Sequence, residues 1–267
     1  NMRDEQLPHK LQKEIIMLGA IIGDIVGSRF EFNNTHRSDF ELFHKDCSFT
    51  DDTICTVAIA DAILRKCSYQ ESLLRCCRSY PNPMGGYGGR FAQWIHSNNP
   101  QPYNSFGNGS AMRVSPVAWA FDNLDDVLAE AEKTALPTHN HPEGIKGAKA
   151  VAHAIWILRN GGTNVDLSNI LHDYYPNFSL DNLQRGKFDE TCMGTVTLAL
   201  YMVCMAESFE DAIRNAVAWG GDSDTIAAIV GSIAEARWGV PWLFGEKAMS
   251  YLPKSMQSVI HLIYTGI

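Results

Sequence analysis

Apolar positions recur along most of this chain at helical rather than alternating spacing. Ile54, Val57, Ala58, Ile63 and Leu64 mark a helix from Thr53 to Lys66. Asn123 stands as a cap ahead of Asp125 and Asp126, with Leu124, Val127, Leu128 and Ala131 forming the apolar face behind it. Pro142 fits a first helical position, and the helix passing through Ile155 and Leu158 is expected to stop at Gly161-Gly162. Ser208 is placed to cap Phe209–Ala218. Thr225–Trp238 is a further apolar helix ending near Gly239-Val240-Pro241, and a last one runs from Ser255 to Tyr264. Strand signals are scarce: the one tempting turn, Asn108-Gly109, is flanked by polar and small residues rather than alternating runs. No repeat period is visible. The pattern predicts one compact all-α multi-helix domain over residues 1–267, with several helices apolar nearly all round and buried at its centre. Pro83–Gly89, Ser105–Ser110 and Gly220-Gly221 punctuate the helices, and loops of this kind are where a site is expected.

Composition narrows the function classes. The 267 residues are 45% apolar and 19% charged, ordinary for a globular chain and enough for a sizeable core. The net charge of −8 gives no electrostatic footprint for nucleic acid or an anionic membrane. Seven cysteines, an odd number with no C-x-x-C pair, argue for a reducing compartment. Cys55, Cys67, Cys76, Cys77, Cys192 and Cys204 read as helical and structural. The apolar run Ile15–Ile22 is too short to span a bilayer and is followed by Asp24, so a cytoplasmic protein is expected.

Two acidic clusters change the picture. Phe49-Thr50-Asp51-Asp52-Thr53 and Gly220-Gly221-Asp222-Ser223-Asp224-Thr225 each stand directly before a helix. Capping explains one acid per helix start. It does not explain two pairs set in apolar sequence, because an unpaired buried carboxylate is costly. No Lys or Arg lies within five residues of either pair, so a multivalent cation is the simplest remedy. Carboxylate and hydroxyl oxygens suit hard cations such as Mg²⁺, Mn²⁺ or Ca²⁺ rather than zinc. A calcium loop beginning at Asp222 fails, since Ile226 occupies its fifth position and no glycine follows. The number of carboxylates favours two ions, roughly 3.5–4 Å apart.

Three further segments could share the pocket. Gly23-Asp24-Ile25-Val26-Gly27-Ser28-Arg29-Phe30-Glu31 ends a buried helix with glycines and then presents an acid. Ser105-Phe106-Gly107-Asn108-Gly109-Ser110 is a glycine loop able to offer backbone amides to a phosphate, although it matches neither standard phosphate-loop pattern. Thr138-His139-Asn140-His141 offers His139 as a ligand or substrate contact.

Taken in order, these segments resemble the ADP-ribosylglycohydrolase family. The resemblance is carried by Gly19-Ala20-Ile21-Ile22-Gly23-Asp24-Ile25-Val26-Gly27 with Glu31, Thr50-Asp51-Asp52-Thr53, Gly107-Asn108-Gly109-Ser110-Ala111-Met112-Arg113, Thr138-His139 and Gly221-Asp222-Ser223-Asp224-Thr225. It implies an all-α fold around a central cleft holding two Mg²⁺ or Mn²⁺ ions. Thr50, Asp51 and Asp52 would bind from one side, and Asp222, Asp224 and Thr225 from the other. It further implies that the terminal ribose of ADP-ribose engages the metals through its hydroxyls. Ser105, Phe106, Gly107, Asn108, Gly109 and Ser110 would hold the diphosphate and bound the cleft, with His139 contacting substrate and Glu31 near the scissile bond.

The expected reaction is hydrolysis at ribose C1″ of an ADP-ribosylated acceptor, with ADP-ribose as product. An oxocarbenium-like transition state calls for a proton donor and an activated water. Glu31 is the candidate acid/base, with Asp51 or Asp52 orienting the water. Family members that carry an additional acid have its counterpart within Pro83-Met84-Gly85-Gly86-Tyr87-Gly88-Gly89-Arg90, where this chain has none. Hydrolysis of a free conjugate such as an O-acyl-ADP-ribose, and a non-enzymatic crystallin-like role on the same scaffold, are the alternatives. Retention of every expected ligand together with Glu31 speaks against the latter.

Overall fold

A computed structural model describes residues 17–266 of the chain. Its helices are α1 (Leu18–Ser28), α2 (Asp51–Arg65), α3 (Tyr69–Ser79), α4 (Gly89–His96), α5 (Gly109–Met112), α6 (Ser115–Ala120), α7 (Leu124–Ala135), α8 (Pro142–Arg159), α9 (Asn164–Tyr174), α10 (Cys192–Met205), α11 (Phe209–Trp219), α12 (Ser223–Trp238), α13 (Trp242–Tyr251) and α14 (Lys254–Gly266). Among the described residues the only β pairing is two isolated bridges, Thr50 with Met84 and Gly107 with Thr191. The architecture is all-α, as the apolar periodicity predicts. None of these helices is long and apolar enough to cross a membrane. Ile15 and Ile16 of the N-terminal apolar run lie outside the described residues, and Met17 to Ile22 are buried.

Local signals set the helix ends. Asn123 accepts from the Asp126 amide, Ser208 from the Asp211 amide, and Pro142 opens α8 behind His141. The helix expected from Thr53 begins at Asp51, because the Thr50 hydroxyl accepts from the Asp52 amide and caps it there. Cys67 is not helical: it follows Lys66, which ends α2 in the left-handed conformation. All seven cysteines are free thiols.

At the centre lie α1 and α12, packed backbone against backbone. Every residue of α1 is buried, as is α12 from Ser223 to Glu235. The Gly23–Glu31 segment ends this buried helix, at Ser28, while Gly19, Gly23 and Gly27 lie within it and serve its packing. A Cβ on Gly23 would stand 1.9 Å from the Ala227 carbonyl oxygen, and one on Gly19 2.1 Å from that of Gly231. Only glycine permits this approach. Its consequence is positional: the same contact sets Gly27 against Asp224, and so brings Asp24 of α1 beside the start of α12.

Candidate functional site

Three helix ends deliver carboxylates to one point. Asp24 projects from α1, Asp52 stands in the first turn of α2, and Asp222 and Asp224 open α12. One oxygen from each of Asp24, Asp52 and Asp224 lies within 4.8 Å of the others, and so does one from each of Glu31, Asp222 and Asp224. Asp224 belongs to both sets. Among the described residues no Lys or Arg makes an ion pair with any of them. Asp52 Oδ1 and Asp224 Oδ1 are buried with no hydrogen-bond partner. An orphaned buried carboxylate oxygen is costly, and two of them on residues of one all-oxygen cluster fit a hard divalent cation.

Hydrogen bonds hold the cluster in place. Asp24 accepts from the Thr50 amide and hydroxyl at 2.9 and 2.7 Å, from the Thr53 amide at 3.1 Å, and from the Thr53 hydroxyl. Asn108 Nδ2 donates to Asp222 at 2.6 Å, and Thr225 Oγ1 to Asp52 at 3.1 Å. Burial raises every one of these acids. Asp24 and Asp222 are pushed up to about 6, and Asp51, Asp52 and Asp224 well above the carboxylate range by burial and one another's charge. Glu31 rises to about 7 through burial and then the charges of Asp222, Asp24 and Glu190.

The sequence-selected residues divide by position. Glu31, Asp51, Asp52, Asp222, Asp224 and Thr225 line one cleft of about 400 Å³ together with Ser105, Gly107, Asn108, Gly109 and His139, and Asn108 of the glycine loop reaches Asp222. Asp51 belongs to neither close oxygen set. Thr50 is wholly buried, its hydroxyl engaged by Asp24 and the Asp52 amide. Ser110 donates to the Gly144 carbonyl, and exposed Phe106 packs on His141; neither lines the cleft. Within the loop the amides of Ser105, Gly107 and Asn108 are already used, by the Thr138 carbonyl, Ser105 Oγ and the Glu190 carbonyl.

Sequence reading missed several residues. Asp24 had a visible signal, an acid inside an otherwise apolar helix, but its role needed the α1–α12 contact. Glu190, Phe32 and Phe188 also line the cleft, and the two phenylalanines stack at 6.0 Å. No pattern marks them, because they come from loops far apart in the chain. Of the glycine-rich segment, Gly85 to Arg90 forms part of the wall. Gly85, at φ +78, lies so close to Glu31 that a Cβ would stand 2.5 Å from its carboxylate.

The family model for ADP-ribosylglycohydrolase matches residues 15–251. The chain belongs to the ADP-ribosylglycohydrolase family. The family and its named relatives are ADP-ribosylglycohydrolase enzymes, and this membership places the protein in that hydrolase class. It is similar to the ADP-ribosylarginine hydrolase Tri1 of Serratia proteamaculans, 23% identical over 85% of this chain and 73% of the relative. The ADP-ribosylhydrolase ARH3 of Danio rerio is 24% identical over 84% of this chain and 82% of its own. The ADP-ribosyl-[dinitrogen reductase] glycohydrolase of Rhodospirillum rubrum is 25% identical over 84% of both. A solved structure described as an ADP-ribosylglycohydrolase-related protein complex superposes with a TM-score of 0.72 at 22% identity, covering 95% of this chain and 97% of that one. At that identity the likeness shows the shared ADP-ribosylglycohydrolase fold.

Proposed function

We propose that the protein hydrolyses the glycosidic bond at ribose C1″ of ADP-ribosylated protein side chains and releases ADP-ribose. Two Mg²⁺ or Mn²⁺ ions would be held by Asp24, Asp52 and Asp224 on one side and Asp222 and Asp224 on the other, with Asp51, Thr50 and Thr225 beside them and Glu31 reserved for proton transfer. The observation that carries this reading is the pair of orphaned oxygens, Asp52 Oδ1 and Asp224 Oδ1, on residues lining a cleft that the glycine loop and His139 also line. When bound, the ions supply charge stabilisation and orientation for the ribose hydroxyls.

The chain's own groups do the rest. Glu31, raised to about 7, can hold a proton at neutral pH for a leaving group and accept one from water afterwards. Asp51 lines the cleft beside it and is placed to orient that water. The Gly107–Gly109 loop and His139 receive the diphosphate. On the acceptor side stand Phe32, 75% exposed, with Phe188 and the exposed Glu190. An acidic rim with open aromatic faces suits a guanidinium better than a neutral hydroxyl, so the arginine-linked acceptor is the favoured one. The test is ADP-ribose release from matched arginine- and serine-linked ADP-ribosyl peptides, with Mg²⁺ or Mn²⁺ and with EDTA. Metal-dependent release, faster from the arginine-linked peptide, is expected; no release from either peptide overturns the reading.

A further inference from the structure

The cleft has a second uncompensated charge, of opposite sign to its acidic end. Arg113 follows α5, lies in the cleft wall and is 1% exposed. Among the described residues it makes no ion pair. Its Nη2 donates to the Thr134 carbonyl at 2.9 Å and to Thr138 Oγ1 at 2.8 Å, and its Nε has no partner. Burying a guanidinium without a counter-charge is costly unless a ligand supplies one.

Thr138 passes this arrangement on. Its hydroxyl lies 2.7 Å from His139 Nδ1, and Thr138 itself is fully buried. A guanidinium has donors only, so Thr138 accepts from Arg113 and its own proton must go elsewhere. The neighbouring acceptor is Nδ1. A neutral imidazole that accepts at Nδ1 carries its proton on Nε2. That nitrogen faces the glycine loop, 3.3 Å from where a Cβ on Gly109 would stand and 3.6 Å from one on Gly107. Burial, then the charges of Arg113 and Arg90, keep the ring neutral by pushing its pKa well below the usual value.

We propose that Arg113, acting through the Thr138 hydroxyl, is a positioning residue that fixes His139 as the Nε2–H tautomer, so that the imidazole meets a diphosphate at the Gly107–Gly109 loop as a neutral donor. The diphosphate in turn supplies the counter-charge that Arg113 lacks. The identity of the ligand rests on the function proposed above; the tautomer does not.

Nitrogen-15 NMR of the Mg²⁺-loaded, histidine-labelled protein reads the tautomer directly, with His139→Gln assigning the signals. The expected result is a protonated Nε2 and an unprotonated Nδ1 at neutral pH. Thr138→Val removes the relay and is expected to mix the tautomers and weaken ADP-ribose binding about tenfold, the worth of one hydrogen bond to a charged group. Thr138→Ser is expected to restore both. A protonated Nδ1 in the unaltered protein overturns the proposal, and does so even if the valine variant fails to fold. So does a valine variant that binds ADP-ribose no worse than the serine one. Absence of ADP-ribose binding by the unaltered protein overturns the diphosphate part and the function it rests on, while the tautomer signal still judges the relay.

Discussion

Asp52 and Asp61 are buried carboxylates on the same helix, roughly 13 Å apart along its axis, with opposite surroundings. Asp61 receives Arg65 Nε at 2.8 Å, Arg75 and the Ser72 hydroxyl at 3.2 Å. Burial pushes its carboxyl up, but the two guanidinium groups more than offset that and hold it below the ordinary range. Asp52 faces Asp24 and Asp224 instead, and is held well above that range. Glu235, at the far end of α12, is a third solution: a lone buried acid that accepts from the Gly19 amide at 2.9 Å at the start of α1. Where the chain supplies a cation or a helix N-terminus, a buried acid is structural. Where it supplies neither and gathers several acids, the counter-charge must come from outside.

The comparison breaks most visibly at the cluster. Asp52→Asn or Asp224→Asn is expected to abolish cation binding by calorimetry and to cut turnover together with it, by about a thousandfold or more, since the ions supply several kcal/mol. Retained turnover without bound metal would contradict the external counter-charge. Glu31→Gln should lower kcat by about 10²–10⁴-fold, the usual worth of an acid/base group, while the Asp24–Asp52–Asp224 set still titrates an ion.

Metal removal sharpens the contrast through stability. At a hundredfold excess over its Kd a cation should raise Tm by roughly 5–10 °C over the EDTA-treated protein. The sign of its pH dependence follows from the raised pKa values. Between pH about 4 and 7 the metal-free fold binds more protons than the unfolded chain, at Asp24 and Asp222 near 6 and Glu31 near 7. Metal-free stability therefore falls as pH rises through that window. Because a cation displaces the protons of Asp24 and Asp222, the metal-induced rise in Tm should grow from pH 5 to pH 8. A rise that shrinks over that interval would contradict the assignment.

Asp61→Asn is expected to cost about 1–3 kcal/mol in denaturant unfolding, with turnover and metal affinity unchanged. Glu235→Gln should have the smallest effect. Glu235 is pushed up to about 8 by burial, only partly offset by backbone donors. It therefore makes stability fall as pH rises from about 4.5 to 8, and the variant should flatten that part of the curve with or without metal.

Much of the fold was legible in the residues. Helix starts at Asn123, Pro142 and Ser208 follow from cap chemistry within a few positions, which is why they can be read locally. The acidic clusters were also visible, because two carboxylates ahead of an apolar helix conflict with burial wherever the helix packs. What stayed hidden depends on approach between distant segments. The glycines near the end of α1 are visible along the chain, but their packing role appears only when Gly23 is seen against Ala227. That the Thr50 hydroxyl donates to Asp24, tying α2 to α1, is likewise invisible along the chain.

The sequence by itself determined that this chain is helical, that its acids need a counter-charge the neighbouring residues do not carry, and that its motifs resemble one family. These are properties of residue type and local spacing. Only the tertiary structure decided which carboxylate oxygens lie within 4.8 Å of one another, that Asp24 joins them, that the Ser110 hydroxyl donates to Gly144, and that Arg113 reaches His139 through Thr138. Each of these is settled by a distance of a few ångströms between residues remote in the chain or by a side-chain direction, and no one-dimensional pattern encodes either.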